Sequence, residues 1–252
     1  MPELSLADPA GLAAVFVALF LGGILKGATG AGLPVIAIPV ISAVYDVRVA
    51  VALMVMPNLV TNLWQVWRHR SDQVEGGFGW IFAGWGALGA AAGTFLLIWL
   101  PVSVMQLAMV AIILGYITLR LLRPDVSIGA EAARGMVGPV GFAGGILQGA
   151  TGISSPVSVT FLNAMRLPRL AFIHTISCFF AVMCAGQAIV QLHYGLLTLQ
   201  LAALGLAALV PMFLALPLGE WIGRRISART FDMVMVAFLA LLSLRLVWVE
   251  FV

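Results

Sequence analysis

The chain has 252 residues, of which 62% are apolar and 9% charged, against about 45–50% and about 25% in soluble domains. Thirteen Lys+Arg and ten Asp+Glu cannot cover the surface of a soluble globule of this size, and with a mean hydropathy of +1.11 the composition excludes a soluble enzyme. The net charge of +3 comes from basic residues at segment ends that form no patch, so nucleic acid is not a partner and the charges read as topology signals of a polytopic membrane protein.

Met1 to Ala10 carries Glu3 and Asp8 but no Lys or Arg, so the apolar stretch behind it lacks the basic n-region of a cleaved signal peptide. Most later faces are apolar, and the segments are divided by length and punctuation rather than by periodicity. Residues 11–44 are apolar but interrupted by glycine. This predicts two pieces of about 12–16 residues, short for a crossing and suited to a re-entrant or broken hairpin. The runs 48–67, 79–100 and 102–122 each hold the roughly 20 residues that a span needs. A charged strip follows, with Arg120, Arg123, Asp125, Glu131 and Arg134. Residues 136–165 are again apolar and glycine-broken, and 170–192, 195–218 and 229–251 are again full spans.

The two broken stretches share a motif. Gly22-Gly23-Ile24-Leu25-Lys26-Gly27-Ala28-Thr29-Gly30 aligns with Gly144-Gly145-Ile146-Leu147-Gln148-Gly149-Ala150-Thr151-Gly152, with eight of nine positions identical at an offset of 122. Pro34 falls on Pro156 and Gln65 on Gln187 at the same offset. The chain reads as an internal duplication: 1–122 a first repeat, 123–134 a basic linker and 135–252 a second repeat of one membrane domain. Arg68 and Arg70, then Arg120, Arg123 and Arg134, then Arg224, Arg225 and Arg229 mark three basic loops, whereas the turns at Leu100-Pro101 and His193-Tyr194-Gly195 carry no Lys or Arg. With the basic loops in the cytoplasm the spans alternate without conflict and both termini face out. Each broken stretch returns to the side it entered, so each unit makes an odd net number of crossings. The expected fold is all-α: two inverted repeats, each a broken helical hairpin plus three transmembrane helices.

Glycine breaks helices, and an interrupted helix exposes free N–H groups and a dipole end that favour an anion. In an inverted repeat the breaks approach from opposite sides and can meet near the midplane, where transporters place substrate. The candidate substrate residues are therefore Gly27, Thr29 and Gly30 in the first half and Gly149, Thr151 and Gly152 in the second, with the hydroxyls of Ser154 and Ser155. Lys26 is the one lysine of the chain and stands just before the first break, where the other half has Gln148. A lysine in a span is costly unless it faces a cavity or partner, or snorkels to a headgroup; its place beside a break favours the cavity.

Asn58 and Asn62 lie on one helical face and either line the cavity or hydrogen-bond between helices. Pro57 can kink that span. Gln65, Gln187 and His174 are candidates for coupling or gating. His174 would carry a coupling proton, although no acidic residue neighbours it in sequence. Proton is preferred over sodium because the interiors of the predicted spans hold no carboxylate to bind sodium. Three histidines, two of them in loops, make no zinc site. The glycine motif lacks a Walker A ending, and no cofactor is expected. Cys178 and Cys184, six apart, are too far apart for a disulfide and read as packing residues. Arg48, Arg166 and Arg169 stand at the mouths and either anchor helix ends or gather anions. Gly89 and Gly93 have the small-xxx-small spacing of close helix packing, within the protomer or in a homodimer. Arg245 can snorkel from the last span.

The paired segments Gly22 to Pro34 and Gly144 to Pro156, with the duplicated layout over nearly the whole chain, resemble the TauE/SafE family of membrane anion transporters. The resemblance implies secondary transport of a small sulfur-containing or organic anion, such as sulfite or a sulfonate, in the cell membrane among its lipids. Ala31-Gly32 and Ile153-Ser154-Ser155 depart from the richer glycine runs of many members, and the serine pair points to a local change in substrate contacts. An anion channel of the same fold would share every one of these residues. An assembly or anchor subunit without a substrate would leave two costly breaks and Lys26 unexplained.

Overall fold

The computed structural model describes residues 9–29, 33–122, 127–223 and 225, and among them every regular element is helical. Helices α1 (Pro9–Thr29) and α2 (Leu33–Val44) flank the first break. Then come α3 (Val47–Arg68), two short 3-10 turns, α4 (Phe78–Trp99) and α5 (Val102–Leu122). Helices α6 (Ala130–Thr151) and α7 (Ser155–Ala164) flank the second break, followed by α8 (Arg169–His193), α9 (Leu199–Ala207) and α10 (Leu209–Gly223). Among the described residues five stretches are long and apolar enough to cross a membrane: Gly11–Thr29, Val47–Arg68, Glu75–Trp99, Arg169–His193 and Leu199–Gly223.

The spans expected at 48–67, 79–100, 102–122 and 170–192 match α3, α4, α5 and α8 closely. The one expected at 195–218 is shifted: Thr198 caps α9 by accepting the Leu201 N–H, and the run extends through α10 to Gly223, which brings Glu220 into it. The span expected at 229–251 lies outside the described residues. The broken stretches differ from equal arms of 12–16 residues. Their first arms are 21 and 22 residues and their second arms 12 and 10. The first arms have the length of a crossing, because Gly22, Gly23, Gly144 and Gly145 do not interrupt their helices. The interruption comes later, at Gly152, whose φ of 74° is the left-handed cap conformation and whose N–H bonds to Gln148 O at 2.7 Å.

Those internal glycines serve close packing instead. Helix α6 runs parallel to α4, and a Cβ at Gly145 or Gly149 would collide with the carbonyls of Gly86 and Ala90, while one at Gly89 or Gly93 would collide with those of Phe142 and Ile146. Helix α1 runs along α10 in the same way. Gly27 and Gly219 leave no room for a methyl group against Leu216 O and Ile24 O, and a Cβ at Gly223 would stand 2.7 Å from Ala28 O. The Gly89–Gly93 spacing is thus used within the chain. Backbones that approach so closely gain dispersion contacts, and a membrane offers little hydrophobic drive as a substitute.

Helix α3 crosses antiparallel to α8, with Gln65 meeting Ser177 at one level and Asn58 meeting Cys184 about two turns away. Asp46 caps α3 by accepting the Val49 N–H at 2.8 Å. Pro57 inside α3 has no N–H for the Leu53 carbonyl, and Gly205 of α9 packs over that freed group. Between α4, α7 and α8 a cluster of stacked rings forms the core, with the Phe82 and Phe179 centroids 4.0 Å apart. Trp80, Trp85, Trp99, Leu199 and Leu214 are exposed on the outside, as a lipid-facing surface requires.

Gly93→Ala and Gly149→Ala should each lower the unfolding midpoint in detergent, by an amount equivalent to about 1–3 kcal/mol, because the inserted methyl must push two backbones apart. Gly115→Ala in α5, where nothing lies within 4 Å, should be neutral or stabilising. Equal midpoints for all three would mean that the seams are not close-packed.

Candidate functional site

Lys26 stands one turn before the end of α1 and is only 1% exposed. Its Nζ donates to Asn62 Oδ1 at 2.8 Å. Asn62 in turn donates from Nδ2 to the Asn58 carbonyl at 2.7 Å and to Asn58 Oδ1 at 2.8 Å. Asn62 thus bonds between helices and Asn58 supports it from within α3, while neither lines the cavity described below: the four-residue spacing that puts them on one face makes them a relay behind the ammonium. The Cys184 thiol lies beside the cluster, next to the Asn58 side chain and near Lys26. Thr61 sends its hydroxyl to the Pro57 carbonyl at 2.7 Å, which settles the backbone next to the proline.

The cluster is electrically lopsided. Among the described residues the one ion pair is His69 with Asp72, 3.9 Å apart in a loop, and no carboxylate reaches Lys26. An ammonium has three N–H donors, and one is engaged by Asn62. Burying such a charge among neutral dipoles costs several kcal/mol unless a counter-charge joins it. The neighbourhood is therefore suited to a small anion.

Beside it lies a cavity of about 230 Å³. Gly27 and Gln65 form its inner wall, Arg68, His69 and Arg169 its basic rim, and Trp64, Leu170, Ile173 and Glu220 the remainder. Gln65 Oε1 already accepts the Ser177 hydroxyl at 3.0 Å, so what this residue can offer a ligand is its amide NH₂. Arg169 donates to the Ala28 carbonyl at 3.2 Å, near the negative end of the α1 dipole. The carboxylate of Glu220 corrects the expectation that the spans contain none.

The other expected residues are distributed as follows. Thr29 and Thr151 occupy matching places, each hydroxyl donating to the carbonyl four residues back, Leu25 and Leu147, at 2.9 Å. Gly149 packs on α4, and Gly152 is wedged against Ile38 and Val51. Ser154 and Ser155 are buried, and Ser154 pairs with Ser158 at 3.2 Å. Gln148 is buried with Oε1 unpartnered, and Gln187 with both amide atoms unpartnered. His174 is buried beside Cys178, 3.7 Å from Nε2 to Sγ, with no carboxylate in contact. Gly30 lies outside the described residues. The first break thus ends beside α10 and Arg169 and the second between α2 and α3, so the two motifs have different neighbours.

Three participants were not singled out as site residues from sequence. Cys184, read as a packing residue, belongs to the Lys26 cluster; the 122-residue offset that pairs Gln65 with Gln187 also pairs Asn62 with Cys184, and that register was the available signal. Glu220 fell beyond the expected end of its span. Arg48 binds the end of α4, donating to the carbonyls of Leu97, Ile98 and Leu100 at 3.0, 3.1 and 2.8 Å.

A family model described as sulfite exporter TauE/SafE matches residues 15–246, which includes both breaks, Lys26 and the whole cavity. The chain belongs to the TauE/SafE family. Neither a curated protein nor a solved structure matches it. As a TauE/SafE protein with several apolar helices it is a multi-pass membrane protein of a family of transporters. In this TauE/SafE protein no carboxylate among the described residues pairs with Lys26, and its neutral supports are testable. Asn62→Leu should destabilise the protein by about 1–3 kcal/mol, the cost of leaving a buried donor without its acceptor. The double variant Lys26→Met, Asn62→Leu should recover most of that loss in the same denaturation assay. An Asn62→Leu protein as stable as the parent would show that the contact does not hold the ammonium in place.

Proposed function

We propose that this protein is a secondary transporter that carries a small sulfur-containing or organic anion, sulfite or a sulfonate, across the cell membrane by alternating access. The observation that carries the reading is Lys26: a cation 1% exposed, supported by the neutral Asn62 and Asn58, at the end of a broken helix and beside a cavity rimmed by Arg68 and Arg169. On this reading the anion accepts hydrogen bonds from the Lys26 ammonium and from groups at the first break, including Gly27, Thr29 and Gly30. Gln148, Gly149, Thr151, Gly152, Ser154 and Ser155 form the corresponding surface of the second half. Because Lys26 is shut off while the cavity ends at Gly27 and Gln65, the arrangement suits a carrier better than an open channel.

We further propose two inverted units, with the Arg68, Arg134 and Arg225 ends in the cytoplasm and both termini outside. Two observations support this. The basic residues collect at those ends. The glycine seams are reciprocal: the first arm of each broken stretch docks on a helix of the other half, α1 on α10 and α6 on α4. The cavity then opens to the cytoplasm. His174 and Glu220 are the described titratable groups inside spans that a coupling proton can use, besides Lys26 itself.

Flux of sulfite, sulfonates and small carboxylates in proteoliposomes tests the reading. A charge-assisted hydrogen bond is worth about 1.5–3 kcal/mol, so Lys26→Gln should fold and lose roughly tenfold to a hundredfold in apparent affinity for the carried anion. Lys26→Arg should recover part of it, since the guanidinium keeps the charge but is larger and planar. Unchanged affinity in Lys26→Gln would remove Lys26 from recognition.

A further inference from the structure

Two glutamines of α8 have no role in the site described above. Gln187 and Gln191 stand one turn apart on one face, 1% and 0% exposed, and all four of their side-chain amide atoms lack a hydrogen-bond partner. Buried amides are nearly always paired, and here the deficit is concentrated on a single helical face. Packing alone does not select glutamine at such a place.

The duplication supplies a reason. At the offset of 122 residues Gln187 corresponds to Gln65 and Gln191 to His69, and both of those line the open cavity. The correspondence extends to the other walls. Gly149 answers to Gly27, and Val51 answers to Ile173. The partners match as well: a Cβ on Gly27 would meet Leu216 O and Glu220 N, and one on Gly149 would meet Ala90 O and Thr94 N, the same pair of groups four residues apart on each docking helix. Thr94 thus takes the position of Glu220. Each element of the open cavity named here has a counterpart by register or by docking partner in the half that holds Gln187 and Gln191, and there Gly152 is set against Val51 and Ile38.

The arginines differ in the same sense. Arg169, at the rim of the open cavity, donates to a single carbonyl, that of Ala28. Arg48 corresponds to Leu170, the neighbour of Arg169, and on the closed side it binds three carbonyls at the end of α4. A guanidinium that holds three carbonyls ties the start of α3 to the end of α4.

We infer that Gln187 and Gln191 line a second access cavity for the anion, on the Arg48 side of the protein, which opens when Arg48 leaves the end of α4 and the cavity at Gln65 closes. This rests on the reading of the chain as an alternating-access carrier of two inverted units. The ligand class is a small hydrated oxyanion: the amide NH₂ groups donate to it, the amide oxygens hold its water, and the described residues named on this wall include no acidic one where the open cavity has Glu220.

The test is sidedness of thiol labelling in proteoliposomes of the full chain with Cys178 and Cys184 replaced by alanine. Single variants Gln65→Cys, Gln191→Cys and Val51→Cys are exposed to a membrane-impermeant methanethiosulfonate on either face, with sulfite present. Val51→Cys removes no polar group and shortens an apolar side chain, so it reads the same wall without disturbing the amides. Gln65→Cys should label from one face, and Gln191→Cys and Val51→Cys from the opposite face. Adding Arg48→Gln should raise the latter two rates severalfold and lower that of Gln65→Cys. The inference is overturned if Val51→Cys and Gln191→Cys stay unlabelled from the opposite face even with Arg48→Gln, or label from the same face as Gln65→Cys. Sulfite flux is read in parallel on vesicles of the unaltered chain, because Cys184 belongs to the Lys26 cluster. Two-sided labelling without flux would support the second cavity and remove sulfite as substrate, whereas flux without two-sided labelling would retain the carrier and remove the cavity.

Discussion

A buried lysine with no carboxylate beside it among the described residues is the constraint around which the rest is arranged. The Lys26 ammonium needs an oxygen, and Asn62 provides it. Asn62 keeps that orientation because its own NH₂ is held by Asn58. Lys26 points inward from α1 beside the face that packs on α10, where Gly23 and Gly27 allow the two helices to come within backbone contact. The cation, the asparagine pair and the glycine seam form one unit, in which each part is unsatisfactory without the others.

The seams also determine what can move together. α1 with α10, and α4 with α6, are joined over several turns by glycine-to-carbonyl contact, which tolerates little sliding without collision. Other links between the halves are side-chain contacts, such as Ser177 to Gln65 and Arg169 to Ala28, which exchange partners readily. On the proposed carrier reading, the seamed pairs are the rigid bodies and these polar links are what is broken and remade. The large apolar exterior, with Trp67 and Trp221 stacked under Arg70 and Arg225, keeps such bodies at a constant depth in the bilayer.

Much of this was legible in the sequence. The composition excluded a soluble fold, the repeated motif located both breaks, and the lone lysine beside one of them singled out the candidate site. The arm lengths were not legible, because a glycine that admits a neighbouring backbone and a glycine that ends a helix look alike in sequence. Gly145 and Gly152 belong to the same motif and do these two different things. Cys184 was obscured because a thiol in an apolar run reads as packing until its partner is known. Arg48 was read as a mouth residue with two uses, and its three carbonyl contacts place it as a helix anchor. The described ends of the two motifs have different neighbours, α10 for the first and α2 with α3 for the second.

The central claim is that an anion completes the Lys26 cluster. Anomalous diffraction from crystals grown with selenite, which has the charge and shape of sulfite and a strong selenium signal, tests it most directly. The account predicts a selenium peak with an oxygen within hydrogen-bond distance of Lys26 Nζ, near the first break, and its loss in Lys26→Gln. A selenium peak elsewhere in the protein, unaffected by Lys26→Gln and with Lys26 still bonded to Asn62 alone, would contradict it.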